Sequence, residues 1–255
     1  IVKIQCVIQA RMSSSRLPGK VLTNIAGKTM LERVVERVRA IKNIDDVVVA
    51  TTTDASDDPI INEARRLSVE AFRGHPTDVL DRYYEAANTH NAEAIVRVTA
   101  DCPLLDPHVA ENVINRFLES KVDYCSNIRP TTYPDGLDVE VFTAQALKIS
   151  WHDAKLESDR EHVTTYIRRT NPDRFTKSNL KHHVDLSSMR WTIDEPEDLE
   201  FMRTLLPRLE DQYKNETRLE NVLEILRDYP EIAILNSSII RNEGWEQSLA
   251  NDLPS

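Results

Sequence analysis

Residues 2–20 read "VKIQCVIQARMSSSRLPGK". An apolar run of strand length gives way at Gln9 to a loop that carries Arg11, Arg16 and Lys20 and no acid. A run rich in Ile and Val suits a strand covered on both faces, the condition of a parallel sheet with helices on either side. Two further stretches share this texture, "DVVVATTT" at 46–53 and "AIVRVT" at 94–99. Between them the period becomes helical. Residues 29–42 place Met30, Val34, Val38 and Ile41 on one stripe. Thr29 and Glu32 have capping-box spacing, in which each side chain can satisfy a backbone donor at the other's position. Residues 57–68 and 77–91 read as further helices, with Pro59 and Pro76 near their starts. This alternation predicts an α/β protein with an open, mostly parallel sheet and helices on both faces. Ligands in such sheets sit at the carboxyl ends of the strands. Both the basic loop and Asp101-Cys102-Pro103 directly follow predicted strands.

The second half has a different texture. Residues 128–184 hold Pro130, Pro134 and Gly136 in loops, a short strand "LDVEVF", and helices near 143–151 and 160–169, which together read as an inserted lobe. "RWTID" at 190–194 reads as a return to the sheet, and a charged helix opens at Glu195-Pro196-Glu197. A helical extension is expected over 215–255, loosening into "NEGWEQSLANDLPS". No repeat or Ser/Gly linker divides the chain, so one domain over 1–255 is expected.

With 255 residues, 40% of them apolar, the chain can bury a large core, roughly 70–75% of its unfolded surface. No window approaches the ~18–20 apolar residues of a membrane span, and the first residues lack the order of a secretory signal. A cytoplasmic protein is expected. Cys6, Cys102 and Cys125 are scattered without CxxC spacing, which argues against a disulfide framework or a zinc site. They read as reduced, buried thiols. A formal net charge of −10 disfavours general nucleic-acid binding. A basic loop in an acidic chain therefore points to a small anionic partner. Gly27-Lys28-Thr29 imitates the end of a Walker A loop, but the earlier glycine is replaced by Leu22, and no G-x-G-x-x-G is present. Phosphate contact then falls to guanidinium forks at Arg11 and Arg16, the Lys20 ammonium, hydroxyls at Ser13, Ser14 and Ser15, and loop amides. That inventory suits a triphosphate. The plain alternative is a solvated loop, with Lys20 as an ordinary exposed lysine.

"QARMSSSRLPGKVLTNIAGKTMLERV" resembles the N-terminal signature of the nucleotide-diphospho-sugar transferase fold, as used by cytidylyltransferases that activate sugar acids such as 3-deoxy-manno-octulosonate and sialic acid. The spore-coat polysaccharide biosynthesis branch is the nearest likeness. It continues through "GHPTDVLDRYYEAA", "RVTADCPLLDP", "YPDGLDVEVF", "SDREHVT" and "RWTIDEPEDLEFMR", covering residues 1–205. The resemblance implies a three-layer α/β/α fold with a mostly parallel Rossmann-like sheet and an inserted α+β lobe. It implies a cytidylyltransferase that joins CTP to an acidic or phosphorylated acceptor, releases pyrophosphate and serves surface polysaccharide or glycoconjugate synthesis. By position, Ala10, Arg11, Ser13, Arg16, Lys20, Gly74, Asp78 and Asp101 would border the nucleotide, with Arg11, Arg16 and Lys20 stabilising charge. Asp101 and Asp194 would hold Mg²⁺. A homodimer through the lobe is also implied.

The residues themselves leave alternatives open. Asp101 can start a turn, Asp194 can cap a helix, and Gly74 and Asp78 can be a plain loop and helix start. Asp138 and Glu140 alternate on one predicted strand face, as carboxylates facing an acceptor would, or as an ordinary solvent face. Glu161 and His162 open a predicted helix and complete the acceptor candidates, with His162 a possible base. Trp151 and Trp191 read as packing. Competing functions are a nucleotide-sugar-dependent glycosyltransferase, whose Asp-x-Asp pair is broken here by Asp101-Cys102-Pro103, and a non-catalytic nucleotide-binding protein.

Overall fold

The computed structural model describes residues 2–214, 217–241 and 243–252. The first half alternates as its pattern requires: β1 (Ile4–Gln9), the small ribbon β2 (Asn24–Ile25) and β3 (Lys28–Thr29), α1 (Met30–Arg39), β4 (Asp46–Thr52), α2 (Asp58–Arg66), β5 (Glu70–Gly74), α3 (Val79–Thr89), β6 (Ala94–Thr99) and α4 (Pro107–Ser120). The second half adds β7 (Tyr124–Ser126), β8 (Glu140–Thr143), α5 (Ala144–Asp153), α6 (Glu157–Glu161), β9 (Lys177–Asn179), α7 (Pro196–Tyr213), α8 (Leu219–Asp228), α9 (Pro230–Ile234) and α10 (Glu243–Asn251).

Seven strands form one sheet in the order β5-β4-β1-β6-β8-β7-β9. Only β8 runs against its neighbours. β1 lies inside the sheet, pairing Cys6 with Val47 on one side and with Val96 on the other. Its alternate side chains feed two cores: Ile4, Cys6 and Ile8 pack with α1, α2 and α4, while Val7 packs with α3 and α5. This two-sided burial is why β1 carries no outward polar face. Each fully buried aliphatic contributes about 1.5–3 kcal/mol. A third core joins α7, α8 and α9 around Trp191, Phe201 and Leu205.

Several local expectations are refined. Thr29 caps α1 by accepting from the Glu32 backbone N–H at 3.0 Å, but the Glu32 carboxylate turns to Arg66 at 2.6 Å, so half of the capping box forms. Segment 128–184 is stitched to the main sheet, since β8 and β9 are two of its strands. "RWTID" is not a sheet strand; Arg190 makes an isolated bridge to Asp135. That bridge needs Gly136, with φ of 106°, because a Cβ there would lie 2.4 Å from the Trp191 carbonyl oxygen. The helix expected over 160–169 is broken: Glu161 ends α6, Val163 takes a φ of 59°, and a separate π-helical turn follows at Tyr166–Thr170. The loosened tail is α10 over residues 243–251. The three cysteines are buried and free. Among the described residues no helix is long and apolar enough to cross a membrane.

Candidate active site

The basic loop leaves β1 and is wound on its own backbone. The Met12 carbonyl accepts from the N–H groups of Ser14 and Gly19, and Gly19 takes a φ of 73°, which turns the chain into Lys20. The loop is also pinned from beneath. Met12 N–H donates to Asp57 Oδ1 at 2.7 Å, and the other Asp57 oxygen accepts from the Thr51 and Thr52 hydroxyls.

Lys20 is not the exposed lysine expected of such a loop. It is 9% exposed, and its ammonium donates to Asp101 Oδ2 at 2.7 Å, the Ile193 carbonyl at 2.7 Å and Asp194 Oδ1 at 2.6 Å. All three donors are committed. Burial alone would lower the Lys20 pKa; the two carboxylates outweigh it and raise the pKa. Burial likewise resists ionisation of Asp101, but Lys20 and the Thr99 hydroxyl bring its carboxyl down to about 2. Asp101 and Asp194 thus converge as expected, one from the end of β6 and one from the turn before α7. Arg190 holds the second Asp194 oxygen at 3.1 Å, and Arg16 pairs with Glu195 at 2.6 Å.

Asp101, Asp194, Arg16 and Arg190 line a cleft of about 780 Å³, together with Arg11, whose side chain is exposed; Lys20 bridges the two aspartates and is not itself among the lining residues. Asp135, Asp138, Glu140, Glu161 and His162 also line it. Asp138 precedes β8 and accepts from Arg241 at 2.6 Å. Burial pushes its pKa up; burial and then the Asp138 charge push Asp135 up to about 7. Glu140 serves a different end from acceptor contact. Its two oxygens accept from Arg97, the Tyr124 hydroxyl and the Thr164 hydroxyl, each at 2.6 Å, so a buried carboxylate near pKa 2 fixes Arg97 in the cleft. Burial lowers the pKa of His162 to about 4, which leaves a neutral ring at neutral pH.

Other candidates stand apart. Ala10 is buried, its N–H bonded to the Ala50 carbonyl; Ser13 is exposed and does not line the cleft. Gly74 ends β5 packed against Arg82 and Phe72, and Asp78 caps α3 while accepting a fork from Arg160 at 2.9 and 2.6 Å. Neither lines the cleft. Trp191 is core, and Trp151 stacks on Tyr84 at 4.2 Å. Arg97, Arg129, Arg168, Arg190, Asp57 and Trp245 escaped the sequence reading. Only Arg97 carried a signal, a charge inside an otherwise apolar strand.

Asp101 and Asp194 leave 23% and 25% of their side chains exposed. Two carboxylates facing one cation suit Mg²⁺, which takes one or two carboxylates and completes its shell with water and phosphate. Among the described residues no third acidic, His or Cys ligand joins them.

Comparison with known proteins places this geometry. A family model described as cytidylyltransferase matches residues 5–227. The chain is 34% identical to an uncharacterised protein of Methanocaldococcus jannaschii over 93% of this chain and 96% of that protein. It is 33% identical to the spore coat polysaccharide biosynthesis protein SpsF of Bacillus subtilis, over 78% and 84%. A solved cytidylyltransferase from Leptospira borgpetersenii superposes with a TM-score of 0.87 at 32% identity, covering 94% of this chain and all of that one. With a family model matched over most of its length and a solved cytidylyltransferase superposing on nearly all of it, the chain belongs to the cytidylyltransferase family, as a CTP-dependent nucleotidyltransferase.

Proposed function

We propose that the protein transfers CMP from CTP to a small anionic acceptor, such as a sugar acid, with release of pyrophosphate, in the synthesis of a surface polysaccharide or glycoconjugate. The observation that carries this is the meeting of Lys20, Asp101 and Asp194 at the carboxyl ends of β1 and β6, with Arg11 and Arg16 on the same cleft. An acceptor oxygen attacks the α-phosphorus, and pyrophosphate leaves in line. Arg11 and Arg16 neutralise the triphosphate as charge moves onto the leaving group. Lys20 joins them only by giving up at least one carboxylate, because its three donors are engaged. Asp101 and Asp194 would hold Mg²⁺, which when bound polarises phosphate oxygens and acidifies an attacking hydroxyl. The likeness to the spore coat polysaccharide protein supports the polysaccharide setting.

A thermal-shift panel of the four ribonucleoside triphosphates with Mg²⁺ tests the proposal. CTP should give the largest rise, since a ligand at 100 times its Kd stabilises by about 2.7 kcal/mol. Equal shifts by all four would contradict selection of cytosine.

A further inference from the structure

The cleft has a second cationic group besides Arg11 and Arg16. Arg129 and Arg168 both line it, as does Trp245 of α10. The guanidinium carbons of Arg129, Arg168 and Arg169 lie 5.7, 5.9 and 5.9 Å from the Trp245 ring centre. Three like charges around one indole repel one another unless carboxylates balance them, and the carboxylate nearest to Arg168 among the described residues, Glu140, is shared with Arg97. Arg168 Nε comes within 3.5 Å of Glu140, but that carboxylate is already taken by Arg97, Tyr124 and Thr164. Arg168 Nε is buried and makes no hydrogen bond among the described residues. Among the described residues the one hydrogen bond of Arg129 runs from its backbone N–H to Asn179 Oδ1, and its guanidinium makes none. Burial and then the neighbouring Arg168 charge press the Arg129 pKa below its ordinary value. The indole is held over this group by its own element: Ser248 donates to Glu161 at 2.6 Å, and Ser158 N–H donates to Asp252 at 3.1 Å.

Guanidinium forks match tetrahedral oxyanions, and a cluster of guanidinium groups that shares one carboxylate with Arg97 suits a doubly charged one. We propose that Arg129 and Arg168, capped by Trp245, bind a phosphate or phosphonate dianion carried by the acceptor. The word acceptor rests on the CMP-transfer reading; binding of the dianion does not.

The test is calorimetric titration of the protein saturated with CTP and Mg²⁺, using inorganic phosphate, methylphosphonate and acetate as separate probes at pH 8. Phosphate or methylphosphonate should bind at least ten times tighter than acetate, and whichever is tighter names the group. Arg129→Gln should weaken that binding at least fivefold and Arg129→Gln/Arg168→Gln at least twentyfold, with CTP affinity within twofold of the original. Phosphate should also change tryptophan fluorescence in the original protein and not in Trp245→Phe. Because Arg129 is exposed, its single variant keeps the test sound if the double variant folds poorly. Unchanged dianion affinity in Arg129→Gln, or acetate binding as tightly as phosphate, overturns the subsite. Dianion binding only without CTP also overturns it, by assigning the ion to the triphosphate site. Failure of the original protein to bind CTP overturns the CMP-transfer reading instead, and titration without nucleotide then judges the subsite alone.

Discussion

In the proposed reaction Lys20 joins stability to chemistry in one side chain. It separates two carboxylates that would otherwise face each other at the cleft, so Lys20→Ala removes a charge-stabilising donor and leaves Asp101 and Asp194 opposed. Loss of one preorganised donor costs on the order of 10²–10³ in rate. Stability should fall as well. Asp101 is held near pKa 2, against 3.8 ordinarily, and the depression corresponds to on the order of 2 kcal/mol at neutral pH. Its sign follows from the direction of the shift. A depressed carboxylate stabilises the fold above its unfolded pKa, and that contribution is lost as pH falls through the folded value. The melting-temperature gap between original and Lys20→Ala should therefore be widest above about pH 5 and close toward pH 2. A gap independent of pH, or a variant with full activity, would contradict this. The residue's type and place after β1 were legible in the sequence. Its burial was not, because Ile193 and Asp194 reach it across more than 170 positions.

At the scale of elements, the loop after β1 depends on a strut from another segment. Asp57, placed by the turn before α2, accepts from Met12 N–H and from two threonine hydroxyls. Asp57→Asn keeps the volume but aims an amide group at donors, which costs about 1–3 kcal/mol where the groups are buried. The variant should melt lower and bind CTP about tenfold more weakly by calorimetry, since the loop carrying Arg11 and Arg16 loses its tether. CTP affinity unchanged despite a lower melting temperature would confine Asp57 to stability. The strands β1, β4 and β6 could be read within two residues because burial on both faces writes a continuous apolar run. β5, "EAFRG", could not, since a five-residue edge strand leaves no such run. The helix expected over 160–169 failed for a backbone reason: Val163 adopts a left-handed φ, which composition does not announce.

For the whole molecule, the sheet brings chemistry to the carboxyl ends of its inner strands and the remote chain completes it. Asp101 comes from the end of β6, Asp194 from the turn into α7, and Trp245 from α10, so the cleft is assembled from segments far apart in sequence. The parallel order follows from strand–helix alternation, and the convergence of Asp101 with Asp194 was foreseeable from that order and from the resemblance. The placement of α10 was not, since "NEGWEQSLANDLPS" has neither a strong apolar stripe nor a turn signal to say where it docks. Lys20, Asp101 and Asp194 are proposed to form the centre at which CTP reacts. The most direct test of this is anomalous diffraction from crystals grown with CTP and Mn²⁺. One metal peak should appear, ligated by Asp101 and Asp194 beside the α-phosphate, with the Lys20 ammonium moved off at least one carboxylate and onto the triphosphate. A nucleotide and metal seated elsewhere, with Lys20 still bridging both aspartates, would contradict that assignment.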